Sequence, residues 1–143
     1  MFDFINSIKN ILEEKGKSTD YLFSSNIVSK DTFYKYRHRN PSLQTLIKIA
    51  NFLEVSIDYI YEFSDENNFI HYSTNQNRFY ENLIKLIEKS NISQRQFCKE
   101  LNFSKDNIIR YKKGVEPSIR TLLEIARYFN CYIDELLQRD KIY

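Results

Sequence analysis

The sequence predicts an all-α fold built as two tandem units of five helices each, and three observations support this prediction. Glycine and proline are scarce, at two residues each among 143, so the chain lacks the turn residues that a compact β-fold needs. Apolar residues recur at helical spacing, as in Phe79, Leu83, Leu86 and Ile87. The chain also repeats itself at an offset of 75 to 76 residues, a period that suits a small domain better than a single supersecondary element.

The repeat is visible in two pairs of segments. Residues 41–60 (PSLQTLIKIANFLEVSIDYI) align with residues 117–136 (PSIRTLLEIARYFNCYIDEL), with Pro, Ser, Thr, Leu, Ile-Ala and Ile-Asp in common. Upstream, residues 28–37 (VSKDTFYKYR) align with residues 103–112 (FSKDNIIRYK) at an offset one residue shorter. One residue is therefore inserted in the second copy before its proline. The predicted organisation is a first domain over 1–63, a linker over 64–77, a second domain over 78–139 and a C-terminal tail over 140–143.

Composition and charge narrow the class of protein. Hydrophobic residues make up 42% and charged residues 28% of the chain, which is typical of a soluble globular protein. No apolar run approaches 20 residues, and the first ten residues lack the pattern of a secretory signal, so we expect a cytoplasmic protein, associated with the nucleoid if bacterial, without a membrane partner. Residues 1–63 carry eight basic and eight acidic residues, whereas residues 78–143 carry thirteen basic and nine acidic residues.

The sequence offers no chemistry for a metal, cofactor or enzyme site. Cys98 and Cys131 lie 33 residues apart without a CxxC pattern, so we expect core residues rather than a disulfide framework or zinc ligands. His71 has no partner at metal-binding spacing. No Ser/His/Asp set, paired catalytic carboxylates or glycine-rich phosphate loop is recognisable, so we predict a protein that is not an enzyme and uses no cofactor.

Capping and turn residues place the helices of the second copy. Ser93 begins a second helix, with Gln96 at the capping-box position. Asn102 follows that helix, and asparagine tolerates the left-handed conformation of a tight turn. Ser104 caps a third helix, which ends at Gly114. A helix, a sharp turn and a short capped helix with basic residues form the helix-turn-helix arrangement.

Both copies resemble the Cro and lambda-repressor type of helix-turn-helix domain, the XRE family. Residues 92–137 (ISQRQFCKELNFSKDNIIRYKKGVEPSIRTLLEIARYFNCYIDELL) carry the resemblance in the second copy. Residues 18–60 (STDYLFSSNIVSKDTFYKYRHRNPSLQTLIKIANFLEVSIDYI) carry it in the first. The resemblance implies lambda-repressor-like domains that bind double-stranded DNA, with the third helix in the major groove and the second helix bracing it.

The resemblance assigns candidate DNA contacts in the second copy. Gln94 would contact phosphate or orient a reading side chain, and Lys112 and Lys113 would meet phosphate beyond the helix. The candidates along the third helix are Ser104, Lys105, Asp106, Asn107, Ile109 and Arg110. Their chemistry fits independently, because arginine donates to guanine in bidentate fashion, asparagine pairs with adenine and isoleucine contacts the thymine methyl.

The first copy offers candidates at the matching positions. They are Thr19, Ser29, Lys30, Asp31, Thr32, Tyr34 and Lys35, followed by Arg37, His38 and Arg39. The cationic members of this set suit phosphate contact. Phe33 and Tyr36, like Ile108 and Tyr111 in the second copy, are expected to point into the core.

The copies depart from the family pattern at several positions. The first copy has Ile27 where the family has glycine or asparagine in its turn, so Asn26 is expected to supply the turn one residue early and to shorten the second helix. It also has Thr19 in place of Gln94 and no glycine after the third helix. In the second copy, Lys112 stands where this family often has glutamate.

Two functions from different classes follow. The leading one is a sequence-specific transcription regulator, acting as a repressor, that reads double-stranded DNA with one or both third helices. The alternative is a protein-interaction or dimerisation module, with a homodimer or another protein as partner, in which the first copy no longer reads DNA. Fully extended, the linker would reach about 46 Å, and as a flexible coil it would span about 20 Å on average. Alternatively, Phe69, Ile70 and Tyr72 dock between the domains.

Overall fold

A computed structural model describes residues 2–73 and 77–137, and every regular element in those ranges is a helix. The all-α prediction is confirmed. Contacts between Cα atoms divide the chain into two compact units, Met1–Thr74 (unit 1) and Asn75–Tyr143 (unit 2). No helix in the described ranges is long and apolar enough to cross a membrane.

Each unit has five helices among its described residues. Unit 1 contains α1 (Phe4–Glu14), α2 (Thr19–Phe23), α3 (Lys30–Lys35), α4 (Leu43–Leu53) and α5 (Ile57–Ile60). Unit 2 contains α6 (Phe79–Lys89), α7 (Gln94–Glu100), α8 (Lys105–Lys112), α9 (Ile119–Phe129) and α10 (Ile133–Leu137). The predicted tail, residues 140–143, and the predicted end of the second domain at residue 139 lie outside the described residues.

Serine side chains start most of the helices. In each case the hydroxyl oxygen accepts a hydrogen bond of 3.0–3.2 Å from the backbone amide three residues later. The serines are Ser29, Ser42, Ser56, Ser93, Ser104 and Ser118. Each bond satisfies an amide that has no partner inside its helix, and such a cap typically stabilises a helix by about 1 kcal/mol.

The capping box predicted at Ser93 forms only in part. Ser93 accepts from the Gln96 amide at 3.0 Å, as predicted. The Gln96 side chain, however, donates to Glu100 Oε1 at 3.2 Å instead of returning to the amide of Ser93. The side chain of Gln96 therefore lies along α7, where a residue four positions later offers a charged acceptor.

The two cores consist of the apolar faces that the helical spacing predicts. In unit 1, Ile8, Phe33, Leu46 and Ile49 are fully buried. In unit 2, Phe79, Leu83, Phe97, Leu122 and Ile125 have at most 1% of their surface exposed. Burying such side chains is the main favourable term in folding, and it fixes the short second and third helices of each unit on the longer ones.

The segment predicted as a linker is in large part a portion of unit 1. Asn67 Oδ1 accepts from the Ser56 amide at 2.9 Å, and Asn67 Nδ2 donates to the Glu54 carbonyl oxygen at 3.0 Å. The hydroxyl of Tyr72, whose side chain is buried, accepts from the Ile57 amide at 2.9 Å. Residues 64–73, hereafter the arm, therefore lie on α4 and α5, and the reach calculated for a flexible coil of 14 residues does not apply. Ile70 is largely exposed.

Candidate nucleic-acid interface

A tight turn between α7 and α8 positions the third helix of unit 2. Asn102 has a φ of 53°, so it adopts the left-handed conformation predicted for it. The Phe103 amide donates to the Cys98 carbonyl oxygen at 2.7 Å, which closes the end of α7. Ser104 then caps α8 at the Asn107 amide, 3.1 Å away. Three residues, 101–103, therefore separate the end of α7 from the cap of α8.

One face of α8 is anchored in the core of unit 2. Ile108 is buried, and the half-buried ring of Tyr111 meets Phe79 edge-on with ring centroids 4.9 Å apart. Burial raises the pKa of the Tyr111 hydroxyl, while a hydrogen bond with the Thr121 side chain and the charge of Arg110 act in the opposite direction. Ile108 and Tyr111 thus lie as predicted, and they fix the rotation of α8 about its axis.

The other face of α8 carries the predicted DNA contacts. Asn107 is half-buried, and Ile109 exposes 43% of its surface. The remaining candidates are all exposed: Ser104, Lys105, Asp106, Arg110, Lys112 and Lys113. The structure therefore brings these candidates together on one short helix and its cap.

The end of α8 keeps two lysines at the surface. Lys113 is the cap residue, and Gly114 follows with a φ of 99°, a left-handed conformation that a side chain would strain. The Val115 amide donates to the Arg110 carbonyl oxygen at 3.1 Å, and Asn77 Nδ2 donates to the Gly114 carbonyl oxygen at 2.9 Å. Gly114 therefore ends α8, as predicted.

The start of α7 carries one predicted and one unpredicted side chain. Gln94 is the first residue of α7 and is exposed, as its predicted role requires. Arg95 beside it is also exposed, and sequence reasoning passed over it because no family position was assigned to it. Its position next to Gln94, a predicted phosphate contact, could have indicated that Arg95 is also a candidate phosphate contact. The rest of α7 is held by Phe97, which is fully buried.

A polar contact ties α7 to α9. The Tyr128 hydroxyl donates a hydrogen bond to the Glu100 carboxylate. This bond, together with the one from Gln96, holds the pKa of Glu100 below its ordinary value. Glu100 lies at the end of α7, away from its first residue Gln94, so the contact braces α7 without neutralising a cation of α8.

In unit 1, candidate side chains of the third helix make contacts within the unit. Ser29 caps α3, and its hydroxyl also donates to Thr32 Oγ1 at 3.0 Å. Thr19 at the start of α2 and Thr32 are both half-buried. The exposed candidates are Ser29, Lys30, Asp31, Lys35, Arg37, His38 and Arg39. Phe33 and Tyr36 are buried, as predicted.

Tyr34 in α3 is surrounded by neighbours. Its half-buried ring meets Phe33 edge-on at 5.4 Å. Lys9 Nζ of α1 lies 5.3 Å from the ring centroid, and Arg37 Cζ lies 5.3 Å from the same centroid. Sequence reasoning missed Lys9, because a contact between a cation and a ring in different helices leaves no periodic signal.

The cations of both third helices are free of acidic partners within the described residues. Across residues 2–73 and 77–137, no carboxylate forms an ion pair with the basic side chains of α3, α8 or the residues just after them. Arg120 and Glu124, both on α9, do form such a pair, 3.2 Å apart. The charges on α8 are thus available to an anionic partner from outside the chain.

A comparison with protein families decides the class of unit 2. Residues 82–141 match the family of the Cro/C1-type HTH DNA-binding domain. Unit 2 contains a Cro/C1-type helix-turn-helix domain. No curated protein and no solved structure matches the chain. The family match begins within α6 and includes all of α7 and α8.

Unit 1 differs from the Cro/C1-type domain in its turn. Asn26 has a φ of 62°, and α2 is five residues long against seven in α7, so the early turn and the shorter second helix predicted from the sequence are confirmed. Ser18, at the start of α2, makes no side-chain cap, whereas Ser93 does. The second helix is therefore less firmly started in unit 1 than in the Cro/C1-type domain.

The two cysteines of unit 2 are partly enclosed by their surroundings. Neither Cys98 nor Cys131 is in a disulfide, and each is half-buried, less enclosed than the core positions predicted for them. Burial raises the pKa of the Cys98 thiol, which lowers its reactivity. Within the residues that the structure describes, no group of three His, Cys, Asp or Glu side chains is arranged to hold a metal ion.

Proposed function

We propose that this protein is a sequence-specific transcription regulator that binds double-stranded DNA by placing α8 in the major groove, and that it acts as a repressor. The observation that carries this proposal is the division of α8 into two faces. Ile108 and Tyr111 fix one face in the core, while the opposite face exposes side chains that recognise bases and phosphates. A short, rigidly anchored helix with such a face suits major-groove reading.

Three side chains of α8 have the chemistry of base recognition. Arg110 offers two parallel N–H donors for the O6 and N7 acceptors of guanine. Asn107 has the donor and acceptor pair that matches adenine, and its side-chain amide makes no hydrogen bond among the described residues. Ile109, 43% exposed, gains by contact with a thymine methyl because that contact removes apolar surface from water.

The surroundings of α8 suit the sugar–phosphate backbone. Lys112 and Lys113 follow the reading residues, and Gln94 stands at the start of α7. The Ser104 oxygen accepts from an amide in the cap, so its hydroxyl hydrogen remains available to a phosphate oxygen. Contacts of this kind set the position of a reading helix without specifying sequence.

Repression follows from occupancy of a DNA site. A protein that reads bases in the major groove with α8 covers that stretch of duplex and prevents other proteins from using it. Cations that neutralise phosphates release condensed counterions, so the proposal requires affinity to fall steeply as salt rises. A site that overlaps a promoter would then be silenced according to the concentration of this protein.

The test is a triple substitution on the reading face. Lys105→Ala, Asn107→Ala and Arg110→Ala together should weaken binding to a selected duplex roughly a hundredfold or more, because each base contact contributes about 1–3 kcal/mol. Circular dichroism should show an unchanged fold, since Lys105 and Arg110 are exposed and none of the three supplies a buried apolar side chain.

A matched control removes the same charge elsewhere. Lys85→Ala, Lys89→Ala and Asn68→Ala replace two exposed lysines and one exposed asparagine outside α8. Fluorescence anisotropy with the selected duplex and a scrambled duplex compares both triple variants with the wild-type chain. Loss of discrimination in the α8 variant alone supports the proposal. Equal discrimination by both variants and the wild-type chain would remove α8 as the reading surface.

A further inference from the structure

We propose that Lys9, Tyr34 and Arg37 form a phosphate-binding surface on unit 1, through which unit 1 holds duplex DNA independently of sequence while unit 2 reads it. This inference rests on the proposed function of α8. It concerns a different set of residues, on different helices. It assigns a DNA contact to α1, which the sequence did not indicate, and gives Tyr34 a positioning role in place of base contact.

The surroundings of Tyr34 differ from those of its counterpart in unit 2. Tyr34 in α3 aligns with Ile109 in α8, the exposed apolar residue of the reading face. Whereas Ile109 is open to solvent, the ring of Tyr34 is half-buried and is approached by Phe33, Lys9 and Arg37. A ring whose surface is already occupied by protein groups is poorly placed to contact a base, so α3 lacks the counterpart of this reading residue.

Two cationic side chains, Lys9 and Arg37, lie close to the Tyr34 ring. Lys9 and Arg37 are exposed, and each lies 5.3 Å from the same ring centroid. Tyr34 therefore brings a cation of α1 and a cation from beyond α3 within about twice that distance of each other. Attraction to the ring face restrains both side chains, while the polar N–H donors of each remain free to bind phosphate oxygens.

Further basic side chains surround Lys9, Tyr34 and Arg37. Lys30, Lys35, His38 and Arg39 are exposed on α3 or directly after it. The acidic residues of the same elements are Asp31 on α3 and Glu13 and Glu14 on α1. Tyr59 donates to the Glu14 carboxylate at 3.0–3.1 Å, which occupies that acid. Although unit 1 is neutral over residues 1–63, the α3 side of it offers an excess of cations.

Unit 2 lacks this arrangement. The residues aligned with Lys9, Tyr34 and Arg37 are Ile84, Ile109 and Lys112, so neither the α1 cation nor the aromatic ring recurs. The difference separates two roles: α8 offers donors for bases and an apolar contact for thymine, whereas unit 1 offers restrained cations. Phosphates of duplex DNA are the partner that fits restrained cations in the same chain as a reading domain.

The test compares salt dependence on two duplexes. Lys9→Gln combined with Arg37→Gln should weaken binding of the full chain to a selected duplex and to a scrambled duplex by the same factor. The slope of log K against log salt should become shallower by about one for each lost phosphate contact. The control, Lys15→Gln combined with Lys48→Gln, removes two exposed lysines elsewhere in unit 1 and should leave the slope at the wild-type value.

Tyr34 provides the second pair of variants. Tyr34→Phe keeps the ring and should retain the wild-type slope, whereas Tyr34→Leu removes the ring and should shift the slope in the direction of the double glutamine variant. Thermal unfolding of both variants checks that unit 1 remains folded. If Tyr34→Leu unfolds unit 1, the comparison of Lys9→Gln and Arg37→Gln with their control still decides the proposal.

Each outcome separates this inference from the proposed function. A slope unchanged in the Lys9/Arg37 variant, with wild-type discrimination intact, overturns the phosphate surface and leaves the reading role of α8 standing. A loss confined to the selected duplex overturns it in favour of base reading by unit 1. A changed mass in light scattering with unchanged DNA binding overturns it in favour of a dimerisation surface. Absence of any duplex binding by the wild-type chain would instead refute the proposed function itself.

Discussion

Asn51 on α4 holds Tyr72 of the arm through both polar atoms of its side-chain amide. Nδ2 donates to the Tyr72 carbonyl oxygen at 2.8 Å, and Oδ1 accepts from the Tyr72 amide at 2.8 Å. The side chain thus acts as the neighbouring strand would in a sheet and satisfies both backbone groups of Tyr72. Because 21 residues separate the two, this contact makes the arm a part of unit 1.

Substitution of Asn51 is expected to release the arm. Asn51→Ala removes two part-buried hydrogen bonds to the backbone of Tyr72, so the free energy of unfolding should fall by about 2 kcal/mol. Urea denaturation followed by circular dichroism measures this change. Asn68→Ala, in the exposed part of the arm, is the control and should change stability by less than about 0.5 kcal/mol. Equal effects from the two substitutions would show that the arm contributes nothing through Asn51.

The turn between α7 and α8 makes a prediction about backbone conformation. Asn102 has a φ of 53°, a region that asparagine tolerates and glycine favours, while a residue with an ordinary Cβ is strained there. Asn102→Ala should therefore destabilise the chain by about 1 kcal/mol, and Asn102→Gly should leave stability close to the wild-type value. Thermal denaturation of the two variants checks this order, and a glycine variant less stable than the alanine variant would contradict it.

Burial of Tyr61 leads us to expect that the chain loses stability at alkaline pH. Its side chain is 5% exposed, and its hydroxyl has no hydrogen-bond partner among the described residues. Burial, with a smaller contribution from Tyr36, raises the pKa of Tyr61 well above its ordinary value. A raised pKa in the folded state means that stability is fully present below the ordinary value of 10.0 and is lost as the pH rises above it, because the unfolded chain ionises first.

Substitution of Tyr61 tests that response. Tyr61→Phe should raise the free energy of unfolding at neutral pH by up to about 1 kcal/mol, because it removes an unpaired buried hydroxyl. The advantage over the wild-type chain should grow above pH 10, where only the wild-type chain loses this contribution. Urea denaturation at pH 7, 10 and 10.5 measures the difference, with the exposed Tyr132→Phe as the control. A difference that shrinks above pH 10 would contradict the account.

Substitution of Arg110 is expected to change the DNA sequence preference of the protein. If its guanidinium donates to guanine, Arg110→Ala should weaken binding to the selected duplex by about 1–3 kcal/mol and relax the preference at one base pair. Arg110→Lys keeps the charge but loses the paired donors, so it should relax the same preference while retaining most phosphate attraction. Anisotropy with duplexes substituted at each position locates the change. A uniform loss across all positions would make Arg110 a phosphate contact.

Local features of the sequence predicted most of the helices and the α8 face. Ser104, Asn102 and Gly114 each act through neighbouring backbone, so their residue type alone predicts a cap, a turn and a helix end. The buried positions Ile108 and Phe33 follow from helical spacing. The family match with residues 82–141 agrees with the resemblance stated for the second copy.

Contacts between distant residues escaped prediction for a physical reason. Asn51 and Tyr72, and likewise Lys9 and Tyr34, meet only after helices have packed, and polar or cation–aromatic pairs leave no periodicity in the sequence. The arm therefore resembled a polar linker, and Lys9 resembled a solvated lysine on α1. Gln96 shows the same limit on a small scale, because its side chain could accept from the Ser93 amide or donate to the Glu100 carboxylate, and the structure has the second bond.

Selection of binding sites from a pool of random duplexes, using the wild-type full chain, tests the central claim most directly. The account predicts a reproducible motif, and binding to it should weaken steeply as salt rises because cations neutralise phosphates. The same selection with the triple α8 variant should yield no motif. A pool that shows no enrichment with the wild-type chain, and only weak binding that ignores sequence, would contradict the claim that this protein reads DNA.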